Sequence, residues 1–228
     1  MSPNTDVAEK PATKAGPKRS GTASKLPRLV ALGVAVVLLI AMAFSTKWLT
    51  PEEEAALIPE KFNAATFAAE AFSEITDKVK ANAVDITELA PAVASNMNTA
   101  GKQYGVDSGG KYTVPVKITA PVESVDANFI TLSTPEIEGF VVRIPIAAAL
   151  NGTAVRDVTG EYTFGDFIDQ TAYQAVANEL KLVMQRRIID PLDKATLPGK
   201  TVTVYGAWVT GGQPGTFVIQ PLQLEVQG

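Results

Sequence analysis

The stretch "KTVTVYGAWVTGGQPGTFVIQPLQLEV", residues 200–226, closes the chain with two runs rich in Val, Thr and aromatic residues around "TGGQPG", 210–215. Alternating apolar positions on either side of a Gly- and Pro-bearing turn predict an antiparallel hairpin. Upstream of it the period lengthens. Tyr173, Val176, Ala177, Leu180, Val183, Met184 and Arg187 mark one face of a long helix, with Asp169 or Thr171 near its start and Pro191 just beyond its end. Further upstream the period of two returns. Val114, Val116 and Ile118 alternate with other residues, and Val122–Val125, Phe129–Leu132 and Phe140–Ile144 read as further short strands separated by turn residues.

Three or four antiparallel strands, one helix and a final hairpin give an α+β protein. This is the element order of a small antiparallel β-barrel of OB-like topology over 111–228, with a helix between strands 3 and 4 that plugs the barrel. A curved open sheet satisfies the same order. Ahead of the barrel, residues 62–99 predict two helices. Asn63 fits an N-cap, with Ala65, Ala68, Phe72, Ile75 and Val79 on one stripe. In the second, Asp85 with Glu88 fits a capping box, or Thr87 is the cap with Pro91 near the first turn, and Gly101 ends the helix.

The first 48 residues are of another kind. Residues 1–28 hold Pro3, Pro11, Pro17 and Pro27, no aromatic residue, and six basic side chains against two acids, which reads as a disordered tail. Residues 29–48 carry an uncharged run from Leu29 to Phe44, about 24 Å long as a helix, followed by Lys47 and Trp48. Preceding positive charge and a following interfacial Trp predict a single transmembrane helix, N-terminus in the cytoplasm and folded part outside. Ala41-Met42-Ala43 fits a signal-peptide cleavage site, but the long basic leader and the apolar continuation into Phe44 favour an uncleaved anchor. Residues 49–61, with Glu52–Glu54, form an acidic spacer before the domain at 62–228.

Composition excludes whole classes of chemistry. The chain has neither Cys nor His, so there is no thiolate or imidazole for a nucleophile, a general base or a metal site, and no cysteine to acylate. No cofactor or metal is expected. Residues 51–228 hold 13 basic and 22 acidic side chains, net −9, which repels phosphate backbones and argues against a nucleic-acid partner.

Two stretches bear candidate site residues. In "NGTAVRD", 151–157, read as a loop, Arg156 beside Asp157 can present a guanidinium fork to a carboxylate or a pair of sugar hydroxyls; it can equally pair with a nearby carboxylate and pin the loop. In "FGDFIDQ", 164–170, Asp166 and Asp169 could act as paired carboxylates on a glycoside, or cap the following helix. Phe164, Phe167 and Tyr173 could stack on a sugar ring, or belong to the core. The basic pair in "MQRRI", 184–188, could dock a partner's acidic patch or complement a helix C-terminus.

"AGKQYG", "GTAVRD", "FGDFIDQ..Y..VANEL" and "GKTVTVYGAW...VIQPLQLE", in that order and spacing, resemble a bacterial family known only as predicted periplasmic lipoproteins of unknown function, over roughly residues 60–226. Family members carry a lipidated Cys that this chain lacks, which leaves residues 29–48 to hold it in the inner membrane. The resemblance implies a non-enzymatic, membrane-anchored periplasmic protein accessory to a sugar ABC transporter, touching its subunits or a periplasmic sugar-binding protein. The alternative is a module that binds a sugar or small ligand itself, and the remote alternative a carboxylate-dependent glycoside hydrolase. No catalytic residue is carried over. The motif positions Arg156, Asp157, Phe167, Gln170 and Tyr173 are the candidates for binding a ligand or partner, with Gly152 and Asn178 beside them.

Overall fold

The computed structural model describes residues 30, 33–38, 41–42 and 62–227. The chain falls into two units, 1–60 and 61–228. In the first, the described residues are helical, and Val30, Val34, Val36, Val37, Leu38 and Met42 are exposed. Among the described residues no helix is long and apolar enough to cross a membrane. The single span expected over 29–48 is not among the described helices, and most of its residues lie outside the described ones. The tail at 1–28 and the spacer at 49–61 lie outside the described residues.

The second unit begins with α1 (Ala64–Asn82), whose first N–H groups are met by the Asn63 side chain, accepting from Ala65 and Thr66. Ala68, Ala71, Phe72, Ile75 and Val79 form its buried stripe; Ala65 is exposed, so the stripe starts one turn later than predicted. After the two-residue strand β1 (Val84–Asp85), α2 (Ile86–Tyr104) starts at Asp85, which accepts from Thr87 and is the cap. Pro91 sits inside the helix, and the backbone breaks at Asn96 (φ −159°, ψ 106°), whose side chain accepts from Thr99 and caps the remaining turns anew. Gly101 does not end α2. A Cβ there would lie 2.7 Å from the Tyr112 ring, so this glycine lets a strand residue pack against the helix, and Gly105 forms the actual end.

The barrel strands are β3 (Tyr112–Val125), β4 (Phe129–Leu132), β5 (Val141–Pro145), β6 (Thr201–Val209) and β7 (Thr216–Val226). The predicted runs around 114–118 and 122–125 are one strand of 14 residues. It pairs antiparallel with β6 from Thr113 opposite Val209 to Pro121 opposite Thr201, and with β4 from Val122 opposite Leu132 onward, with a register shift between Val122 and Ser124. β4 pairs with β5, β5 runs parallel to β7 and β7 antiparallel to β6. That circuit is a closed five-stranded barrel. β1 and the short β2 (Val106–Asp107) add to β3.

Closure buries the inward face of each strand. Val114, Val116, Ile118, Ala120 and Val122 of β3 join Ile130, Leu132, Val142, Ile144, Val202, Val204, Phe217 and Ile219 in one core. Each of these side chains larger than alanine contributes about 1.5–3 kcal/mol by leaving water. Trp208 packs 4.8 Å and Phe140 5.0 Å from Phe217, ring centre to ring centre.

Between β5 and β6 the chain forms α3 (Gly152–Asp157), a 3₁₀ turn at Phe164–Asp166, α4 (Gln170–Met184) and a π turn at Gln185–Ile189. The "NGTAVRD" stretch is thus a short helix rather than a loop, because Asn151 accepts from Thr153 and caps it. The long helix leaves α geometry at Met184, short of the predicted Arg187. It is α3 that packs against β6 and β7, while α4 lies between α3 and α1. At the crossing of α3 and α4, a Cβ on Gly152 would come within 1.7 Å of the Ala177 carbonyl oxygen. Because backbone cannot yield there, Gly152→Ala is expected to destabilise the domain by about 1–3 kcal/mol, read as a lower urea midpoint at unchanged slope.

Candidate functional site

Gln220, on β7 and almost wholly buried, fixes the start of α3: its side chain accepts from Asn151 N–H (2.7 Å) and donates to Ala149 C=O (3.2 Å). With α3 tied to the barrel at one end and pressed on α4 through Gly152, the last turn of α3 delivers Arg156 to α4. Its side chain is only 5% exposed. Nε donates to the Asp157 carboxylate (2.7 Å), Nη1 donates to the Tyr173 carbonyl (2.9 Å), and the guanidinium carbon lies 3.4 Å from the centre of the Tyr173 ring. One residue, Tyr173, therefore receives both the stacking and a hydrogen bond. Burial pushes the Tyr173 phenol above its ordinary pKa, and the negative charge of Asp157 adds to the rise.

Arg156 and Tyr173 form a partition between two clefts. One, of about 430 Å³, also touches Asp107–Gly109, Asp157, Tyr162 and Phe164. The other, of about 390 Å³, is bordered by Gln170, Gln174, Ala177 and Asn178 on α4. Thr153 faces both. Arg156, Asp157 and Tyr173 are in direct contact, and Gln170 stands on the rim. Phe167 touches Tyr173 (5.4 Å between ring centres) but also Phe67 (5.6 Å) and Phe62 (6.0 Å), so it joins α1 to α4. Phe164 meets Tyr173 edge-on at 5.8 Å and stays half exposed. The aromatic residues of this segment pack on one another rather than forming an open platform.

The two carboxylates of "FGDFIDQ" are engaged with backbone. Asp166 accepts from the Thr163 N–H and hydroxyl and closes a capping box on the 3₁₀ turn, and Asp169 accepts from Ala172 N–H as the N-cap of α4. Those hydrogen bonds hold Asp166 below the ordinary carboxylate pKa, the opposite of what a glycosidase acid requires. Arg187 donates to the Ala69 carbonyl and the Ser73 hydroxyl of α1, so half of the basic pair serves helix packing. Among the described residues no group of acidic side chains is placed to hold a metal ion.

A larger cleft of about 690 Å³ lies between α1, the end of α2 and residues 158–161, with Lys78, Asn82, Gln103 and Glu161 among its lining. Lys78 pairs with both Glu74 and Glu161, which raises its pKa, and it holds Glu74 below the ordinary carboxylate range. Glu74 and Lys78, four apart on a helix, are a pairing that spacing predicts. Glu161, 83 positions along the chain, has no such local signal. The same holds for the Ser108–Gly109 turn, brought to Arg156 only by the fold.

The buried pair gives a direct test. Replacing Asp157 with Ala leaves the Arg156 cation without its carboxylate and is expected to cost about 3–5 kcal/mol. Replacing the exposed cap Asp169 with Ala is expected to cost only about 0.5–2 kcal/mol. Chemical denaturation of the two variants beside the parent measures the difference.

Among curated proteins the sequence finds no match. Among solved structures, the fold is similar to the crystal structure of an OB-fold protein from Thermotoga maritima, at 15% identity and a TM-score of 0.63, over 74% of this chain and 100% of that one. The likeness is one of fold, the OB-type barrel. Residues 34–225 match the family described as "Predicted periplasmic lipoprotein (DUF2291)", and the chain belongs to that family.

Proposed function

We propose that the protein is a non-enzymatic component of the periplasmic face of the inner membrane, anchored through residues 29–48, that assists a sugar ABC transporter by contacting its permease or its binding protein. The observation that carries the non-enzymatic reading is the engagement of the groups that chemistry would use. Asp166 and Asp169 are spent as caps, and Arg156 is held by a carboxylate, a carbonyl and a ring. Membership of a family of predicted periplasmic lipoproteins supports the location, and resemblance to that family is what suggests the transporter. With no Cys to carry a lipid, the apolar run is the anchor this reading requires.

The test is cross-linking of the full chain in its native membranes, capture, and identification of partners by mass. Recovery of a permease, an ATPase or a sugar-binding protein above a control bearing residues 1–60 alone is the expected result. Failure to enrich any of them above that control overturns the accessory reading.

A second reading rests on the two clefts that share the Arg156–Tyr173 partition. A short polar ligand with hydroxyl groups would meet Thr153, Gln170, Gln174 and Asn178 there. Binding of a sugar is then expected to raise the melting temperature in step with RT ln(1 + [L]/Kd), about 2.7 kcal/mol at a hundredfold excess over Kd. Gln174→Ala should abolish the shift, and a flat response across a panel of sugars would remove this reading.

A further inference from the structure

The segment 163–169 carries two apolar side chains that the fold leaves largely in solvent. Ile168 is 79% and Phe164 53% exposed, the two most exposed large apolar side chains described between residues 62 and 227. Their exposure does not come from a loose loop end. The Thr163–Asp166 capping box and the Asp169 cap close the segment on both sides, and Phe167 between them is sunk against Phe62, Phe67 and Tyr173. The backbone is thus held with one aromatic ring inward and Phe164 and Ile168 outward.

The position of this projection matters. Phe62 is where the folded domain begins, with seventeen residues between it and Phe44, the end of the apolar run. Its ring lies 6.0 Å from Phe167, so the projecting segment sits at the pole of the domain into which the chain enters. We propose that Phe164 and Ile168 insert into the periplasmic leaflet of the membrane and lay the domain against the lipid surface. This rests on the anchor of the proposed function. Two side chains bury too little apolar area to hold a free domain on a bilayer, but an anchored domain needs no more, since tethering makes the contact intramolecular. The acidic surface of the domain gains nothing from anionic lipid, so the contact is apolar and insensitive to salt. Asp166 and Asp169 do not oppose it strongly, because their carboxylates turn back to Thr163 and Ala172.

The absence of cysteine makes the test clean. Leu38→Cys, Ile168→Cys and Ala81→Cys, each in the full chain and each carrying an environment-sensitive fluorophore, are reconstituted into phosphatidylcholine vesicles with or without nitroxide on the acyl chains. Ala81 is exposed near the far end of α1, about 20 Å of helix from Phe67, and serves as the wet reference. The expected result is a blue-shifted label at 168 that loses the larger part of its emission to the nitroxide lipid, in high salt as in low. Phe164→Ser in the same background should weaken that loss. A label at 168 as wet as the one at 81 overturns the proposal. So does one that is blue-shifted but not quenched by lipid, since a protein surface such as a second copy would then cover it. The label at 38 keeps the two readings apart: quenching at 38 without quenching at 168 leaves the anchor and removes the lipid contact. Absence of quenching at 38 removes the anchor, and with it the contact that rests on it.

Discussion

A single strand, β3, carries the architecture. It pairs with β6 along its first nine residue pairs and with β4 at its end, and its other edge takes β1 and β2. The ring closes on its far side through β5 and β7, which meet over three residue pairs and in parallel. The strand must bend to serve two partners, and the register shift between Val122 and Ser124 is where it does so. The helices are hung on this ring: Gln220 of β7 ties α3 to it, Gly152 ties α4 to α3, and the crossing places Arg156 under Tyr173.

Local chemistry made most of the elements legible. The closing hairpin, the face of α4 and the Asn63 cap each rest on residues within a few positions of one another, and such signals survive folding unchanged. Where the sequence misleads, the cause is tertiary. Residues 114–118 and 122–125 suggested two strands, yet they belong to one that changes partner at Pro121 and Val122. Gly101 suggested a helix end, although its real neighbour is the ring of Tyr112. "NGTAVRD" suggested a loop because six residues are too few to show a helical period. Closure of the barrel had no local signature, since it depends on β3 meeting a strand most of the domain away.

The candidate site divides in the same manner. That Arg156 and Asp157 pair could be anticipated from adjacency, and the fold adds that Tyr173 accepts the other half of the guanidinium. The choice between functional and structural roles for Asp166 and Asp169 depends on hydrogen-bond direction, which spacing alone does not reveal. Phe167 and Phe164 look alike in sequence and have opposite fates: the first joins α1 to α4 and the second faces solvent. A projecting apolar pair is invisible in a string where every aromatic residue reads first as core.

The pairing of β3 with β6 also sets a timetable. Its partners lie between 80 and 96 positions apart in the chain, so as the protein emerges from its amino end, the longest strand waits for nearly the whole remaining sequence before its edge is met. Contacts this distant close slowly, and an unpaired strand of 14 residues invites association with a neighbour in the meantime. The elements that appear before it supply a partial remedy. β1, β2 and α2 are complete when β3 arrives and already occupy part of one edge and flank. The helical addition ahead of the barrel is thereby placed to cover part of β3 before β6 is made.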